Sequence, residues 1–332
     1  MKRLLLTILL ITGTGIAQEI KFSGYGATGY IHYNHEIVGE NNQKTYFEGK
    51  FQADYKVSKY IDAQLDFRGN STDNSVRLRE FAAKFEYSKD FQVKVGMLKK
   101  PFGFENLYDT EELPMVEHSY PASRLSELGY SGRSVSLMVY RKYDEDDPED
   151  IPMTYYVSFY KDNSQYYGGI VRYQYHFPLL NVGISYERMQ RSYNGEIGAN
   201  GFAIDISRFG ERSLIDLELS YVQDPIEGLR RRKIGLDETV YSFGGRLIAS
   251  YTFEVKKMVV KSLEPVVTIG VFRPDVQISG EQVLQSMIGM NIYFNKDARL
   301  MLNADLRFSK NRASSVYSSD LSFYVAQLMV AF

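Results

Sequence analysis

The chain has no cysteine and no tryptophan among its 332 residues. Without cysteine it forms no disulfide, carries no thiolate nucleophile, and lacks the residue that a lipoprotein needs at its cleavage site. It also lacks an excess of either charge: a net charge of -2 creates no strong field of one sign and argues against nucleic acid as a partner. Beyond residue 20 no apolar run approaches the ~20 residues that a membrane helix requires. In their place the chain has aromatic residues, 27 Tyr and 20 Phe, set in segments where apolar and polar side chains alternate.

The N-terminus is the one exception to the alternation. Lys2 and Arg3 precede an apolar run from Leu4 to Ile11, and Gly15-Ile16-Ala17 is a small-x-small site. This is the pattern of a secretory leader, too short for an anchor, so residues 1–17 are expected to be removed and 18–332 to form the mature protein.

Period-two alternation marks the strands. Phe47, Gly49, Phe51, Ala53, Tyr55 and Val57 alternate with Glu48, Lys50, Gln52, Asp54 and Lys56. Ile61, Ala63, Leu65 and Phe67 alternate with Asp62, Gln64, Asp66 and Arg68, and Phe81, Ala83, Phe85 and Tyr87 with Glu80, Ala82, Lys84 and Glu86. A strand through Phe91, Val93, Val95 and Met97 stops near Lys100, because Pro101 cannot donate to a sheet. Counting from Ile20 to Phe332 gives about sixteen strands with no helix between them. Short connections (at Ser58, Lys89, Pro178, Gly210, Lys256 and Lys296) alternate with long ones, of which Lys99–Gly132 is the longest. The acidic stretch Lys142–Pro152 is long where the rule asks for a short turn.

An all-β sandwich also alternates, but this many amphipathic strands would need two sandwiches, and no linker separates two halves. A closed antiparallel β-barrel in lipid satisfies every backbone group and leaves no edge. Aromatic residues at strand ends (Tyr55, Tyr60, Tyr87, Tyr140, Tyr143, Tyr175, Phe177, Tyr293, Phe294) fit interfacial girdles. The expected fold is therefore a transmembrane barrel in a bacterial outer membrane, with Lys99–Gly132 folded inward as a constriction loop.

The stretch Gly96-Met97-Leu98-Lys99-Lys100-Pro101-Phe102-Gly103-Phe104-Glu105-Asn106 resembles the phosphate-selective porin O and P family. Leu78–Phe85 before it, Gly132–Val135 after it, and the terminal strand Tyr324–Phe332 closing on Phe are similar in kind. The resemblance implies a sixteen-stranded, often trimeric, passive channel whose third outer loop enters the pore. The family's named members carry a ladder of arginines along the lumen and a lysine cluster below it. Here the alternation places both signs inward: Lys50, Arg68, Lys84, Lys94, Arg172, Arg246 and Arg307 against Glu48, Asp54, Asp66, Glu80, Asp216, Glu218 and Asp305. Phosphate preference does not follow from that mixture.

Lys94, Lys99, Lys100, Glu105, Arg124 and Arg133 are the candidate pore and constriction residues. The basic ones would form a cationic rim at the constriction, where fixed charges set ion preference. Alternatively, they pair with Glu105, Asp109, Glu111, Glu112, Glu117 or Glu127 and hold the loop to the wall. Arg230–Lys233, in a long outer connection, would gather anions or lipopolysaccharide phosphates, or would simply be a solvated loop. His32 and His35 do not share a strand face, and nothing in the pattern calls for a metal or other cofactor. His118 with Ser119 and Ser123 is the faint trace of a hydrolase, with no nucleophile-elbow pattern around it. The expected function is passive diffusion of small hydrophilic solutes or anions, without enzymatic activity. The partners are outer-membrane lipid, lipopolysaccharide and a homotrimer. The alternatives are a plugged, non-conducting barrel with a structural or adhesive role, and an outer-membrane hydrolase.

Overall fold

The computed structural model describes residues 20–34, 42–72, 74–162, 166–191, 197–210, 212–255, 259–278, 280–309 and 322–332. The expected leader at 1–17, His35, the connections at 36–41, 192–196 and 310–321, and the short connection at Lys256 lie outside the described residues. The strands are β1 (Ile20–Tyr33), β2 (Gln43–Ser58), β3 (Ile61–Asn70), β4 (Ser75–Glu86), β5 (Gln92–Lys99), β6 (Arg133–Arg141), β7 (Met153–Lys161), β8 (Tyr166–His176) and β9 (Asn181–Arg191). They continue as β10 (Ile197–Phe209), β11 (Ser213–Gln223), β12 (Tyr241–Tyr251), β13 (Phe253–Glu254), β14 (Ser262–Arg273), β15 (Val283–Tyr293), β16 (Ala298–Ser309) and β17 (Phe323–Ala331).

Each strand pairs antiparallel with its sequence neighbour, and β1 pairs with β17, which closes the sheet. β12 and β13 both pair with β14 and form one interrupted stave, so the barrel has sixteen staves. The last backbone bonds of the seam join Gly24 and Phe332 in both directions, at 3.1 and 3.0 Å. Outward positions are apolar and exposed, among them Phe47, Phe51, Phe81, Ile184, Phe202, Ile204, Ile269 and Ile288. Lumen positions are polar or packed against the interior loop.

Two expectations change. Helices do occur in the connections: α1 (Tyr120–Glu127) in the inner loop and α2 (Pro225–Lys233) between β11 and β12, each opened by a capping side chain and a proline in its first turn. Tyr140 and Tyr293 are not girdle residues. Tyr140 is buried against Tyr156, and the Tyr293 hydroxyl donates to Glu264 inside the barrel.

The acidic connection 142–152 does sit at the short-turn end of the barrel, so the strand count does not slip there. It docks on the neighbouring turn. Arg141 donates to Asp90 and to the Ile151 carbonyl, both at 2.7 Å, and Lys89 pairs with Asp147 at 2.6 Å.

Candidate functional site

The inner loop, residues 100–132, is built from the Pro-Phe-Gly-Phe-Glu stretch outward. Phe102 is fully buried, with its ring 5.3 Å from that of Tyr130, so the loop's two ends are held together. Gly103 has φ +70°, and a Cβ there would lie 2.6 Å from a Glu218 oxygen. Only glycine allows this turn to press its backbone onto β11. The amides of Phe104 and Glu105 then donate to Glu218 at 2.6 and 3.1 Å.

Glu105 receives the Ser119 amide and hydroxyl, each at 2.6 Å, and pairs with Arg246 at 2.6 Å. Burial opposes its charge, but Arg246, His118 and Ser119 outweigh this and hold the carboxyl down to about 2. Arg246 also meets Asp216 at 2.9 Å and Glu218 at 3.1 Å, which makes one guanidinium the hub for three carboxylates. Next to it, Arg172 is sealed against Asp205 through two bonds of 2.6 and 2.9 Å.

Farther along, the loop is pinned by side chains of β15 and β16. Gln285 accepts from the Tyr120 amide at 2.7 Å, and Asn303 from the Val116 amide at 2.8 Å. Asn291 donates to the Pro114 carbonyl at 2.9 Å, and Arg299 to the carbonyls of Glu111 and Leu113 at 2.7 and 3.1 Å. Leu125, Leu128 and Tyr130 pack with Ile170, Met189, Ala203 and Val222 in the main apolar cluster, which lies inside the barrel. The lumen is therefore filled on the side of β8 to β16.

On the opposite side the loop's acidic segment faces a basic wall. Asp109 meets Lys50 at 2.9 Å, Lys99 at shorter range, and Arg133 at 3.5 Å. Lys50 also pairs with Glu111, and Arg68 with Glu48 at 2.7 Å. Burial works against the Asp109 charge, but Lys99 and Lys50 hold its carboxyl well below the usual range. A further residue joins this cluster through a β-bulge. Asp66 pairs with Glu80 but Phe67 with Leu78, so Arg79 is the extra residue. The bulge re-aims Arg79 into the electrostatic reach of Arg133, Arg68, Asp66 and Asp109. Strict alternation would have put it on the lipid face. Two successive charges, Arg79 and Glu80, between the outward Leu78 and Phe81 are the signal that marks the phase slip.

Below this cluster lies a cavity of about 750 Å³ between the loop and the wall from β1 to β7. Its lining includes six lysines (Lys21, Lys56, Lys84, Lys94, Lys99, Lys142) and five carboxylates (Asp54, Asp62, Glu80, Asp109, Glu112), so its charge is nearly balanced.

Of the six residues picked from the sequence, Lys99 and Arg133 meet at Asp109, and Lys94 lines the cavity below. The other three lie away from the opening. Lys100 is 3% exposed, donates to the Gly129 carbonyl at 2.6 Å and sits 3.6 Å above the Tyr160 ring. Glu105 is the buried anchor described above, and Arg124 pairs with Glu127 on α1. His118 and Ser119 both bind Glu105, and the Ser119 hydroxyl donates its proton to that carboxylate, so no nucleophile–base pair forms between them. In the outer connection Arg230 binds Glu227, Arg231 binds Glu227 and Asp275, and Arg232 binds Glu238, so these arginines are matched by carboxylates rather than presented as a bare cationic patch.

No family model matches the chain, and no curated relative does. Solved structures share its fold. The Salmonella typhi OmpF, solved in complex with daunomycin, superposes with a TM-score of 0.68 at 15% identity, covering 95% of this chain and 98% of that one. The anion-selective porin from Comamonas acidovorans gives a TM-score of 0.64 at 11% identity, covering 95% and 100%. In-vitro folded OmpT of Vibrio cholerae, in its trimer form, gives 0.61 at 11% identity, also covering 95% and 100%. The fold is thus the sixteen-stranded barrel of bacterial outer-membrane porins.

Proposed function

We propose that this protein is a passive diffusion channel of the bacterial outer membrane for small hydrophilic solutes, with a weak preference for anions. The observation that carries the reading is the one-sided filling of the lumen. The loop is anchored on β9 to β12, β15 and β16, while a charged cavity remains along β1 to β7. Lys50, Arg68, Arg79, Lys99 and Arg133 on the wall face Asp109 and Glu111 on the loop, so a solute passing here would cross between opposite charges. Such fixed charges select by sign and by dipole rather than by chemistry. The anion preference rests on Arg79, for which no carboxylate lies within ion-pair distance among the described residues, and on the lysines of the cavity below. Phosphate itself is favoured only by the resemblance around Gly96–Asn106. The fold shared with a trimeric structure supports a homotrimer.

Reversal potential in planar bilayers under a KCl gradient, repeated with added phosphate, tests this. Stepwise conductance with a weak anion preference is expected, and Arg79→Glu should shift it toward cations. Folded protein that gives no steps would establish the plugged barrel instead. Steps blocked by phosphate would extend the reading to the family's solute.

A further inference from the structure

The cavity below the constriction has two unlike sides. A barrel lumen is ordinarily polar, because the strand face that meets water carries charged and amide side chains. The inward positions of β5 to β7 break that rule. Leu98, Met138 and Tyr140 are buried together in an apolar cluster, with Tyr156 packed against it. The register sets Tyr140 directly opposite Tyr156, and their rings lie nearly parallel, at 10°, with centroids 6.1 Å apart. All four side chains line the cavity, and Tyr156 is only half-buried, so this shelf presents an aromatic face to the lumen. At about 750 Å³ the cavity has the size of a small-ligand site.

Charge is sorted around this shelf. Lys94 lies opposite Met138 in the register, and Lys142 follows Tyr140 by two residues; both line the cavity. Lys94 donates to Gln64 Oε1 at 3.4 Å, and among the described residues no carboxylate lies within ion-pair distance of Lys94 or Lys142. The cavity's carboxylates are engaged elsewhere. Glu80 pairs with Arg133 at 3.1 Å, Asp109 with Lys50 and Lys99, and Asp62 falls between Lys56 and Lys84 in the registers of β2, β3 and β4. Lys84, which pairs with Glu86, also lies directly opposite Lys94, a like-charge pairing that an anion would relieve. The near balance of the whole cavity therefore hides an unmatched cationic end beside an apolar shelf.

We infer that this cavity is a subsite for aryl carboxylates, small anions that carry a flat aromatic ring, with the ring on the Tyr140–Tyr156 shelf and the carboxylate on Lys94 and Lys142. A bare inorganic anion would leave the shelf facing water, and a neutral sugar would leave the ammoniums unmet. An aryl carboxylate satisfies both, through ring contact and charge-assisted hydrogen bonds. The inference rests on the reading of the barrel as a diffusion channel and names a solute class for it. Binding is read without a current, so the site and the channel fail separately.

The test is isothermal titration of the detergent-purified full chain at pH 7 with benzoate, acetate, benzamide and inorganic phosphate, each corrected for detergent alone. KCl conductance of the same preparation is read in planar bilayers. Benzoate should bind saturably. Acetate (charge without ring), benzamide (ring without charge) and phosphate should bind at least about tenfold more weakly. Lys94→Gln and Tyr156→Ser should each weaken benzoate binding about tenfold. Arg212→Gln, exposed in the turn between β10 and β11 and paired with Glu254, should leave it unchanged. Parity of benzoate with any of the other three, or wild-type benzoate affinity in Lys94→Gln and Tyr156→Ser, would overturn the site. Conductance steps without benzoate binding would overturn the site and leave the channel. Benzoate binding without steps would uphold the site and overturn the channel. The four-solute comparison on the wild type needs no variant and stands even where Tyr156→Ser fails to fold.

Discussion

On the β8 to β16 side of the lumen, Arg172 and Arg246 are almost wholly buried among the carboxylates that they pair with, and the loop closes over them. On the β1 to β7 side, Lys50, Lys99 and Arg133 also meet carboxylates, but their partners Asp109 and Glu111 stay 29% and 23% exposed beside an open cavity. The residue types are the same and the outcomes opposite. What separates them is access to water. A sealed ion pair is costly to break, because the survivor is left as a bare buried charge, whereas a wetted pair is cheap to break and its field reaches the solute.

The comparison is broken most directly at its buried end. Arg246→Met leaves Glu105, Asp216 and Glu218 without their shared cation and should cost ~3–5 kcal/mol in a urea refolding titration. It should also free the loop from β11 and β12 and raise single-channel conductance. Unchanged stability would mean that water already reaches this side.

Acid tests the same anchor. The Glu105 carboxyl is held down to about 2, against an ordinary value near 4.5. A depressed carboxylate contributes its stabilisation fully above the ordinary value and loses it as pH falls toward the folded value, about 3 kcal/mol in all. Loop anchorage, followed by protease resistance and by conductance, should therefore be constant from pH 7 to 5 and weaken between about 4 and 2. Glu105→Gln should weaken that dependence and leave the part that Asp109 contributes.

The strand faces are probed inside the open half. Leu65→Arg, on the lipid face of β3, should cost ~2–4 kcal/mol if the site is at mid-membrane. The neighbouring Gln64→Arg, on the cavity wall, should cost much less. Equal costs in a refolding titration would reverse the assigned facing.

Asp109→Asn should have the smallest effect on stability, ~1 kcal/mol, because Asp109 is itself partly wet and Lys50 and Arg133 keep Glu111 and Glu80 as partners. It should nevertheless move the reversal potential further toward anions than any change on the sealed side of comparable stability cost. Equal shifts from Asp205→Asn would show that the two halves do not differ in access.

Much of this was legible from local pattern. The period-two alternation located the sixteen staves to within a few residues, and the break at Pro101 marked where the inner loop begins. The loop's contacts were not legible. Phe104 donates to a side chain 114 residues away, and Asn291 reaches a carbonyl 177 residues back. No local periodicity encodes such pairings. Lys100 and Glu105 therefore read as pore candidates although closure of the barrel buries them. Arg79 was missed for a local reason, since one extra residue in β4 inverts the facing that alternation assigns.

The sequence by itself determined the fold class, the facing of most strand positions and the existence of an inward loop, because a strand's two faces follow from the backbone alone. The tertiary structure alone decided which half of the lumen the loop fills, which charges are sealed and which stay wet. Those depend on where a closed sheet brings distant strands opposite one another, and closure sets that geometry all at once.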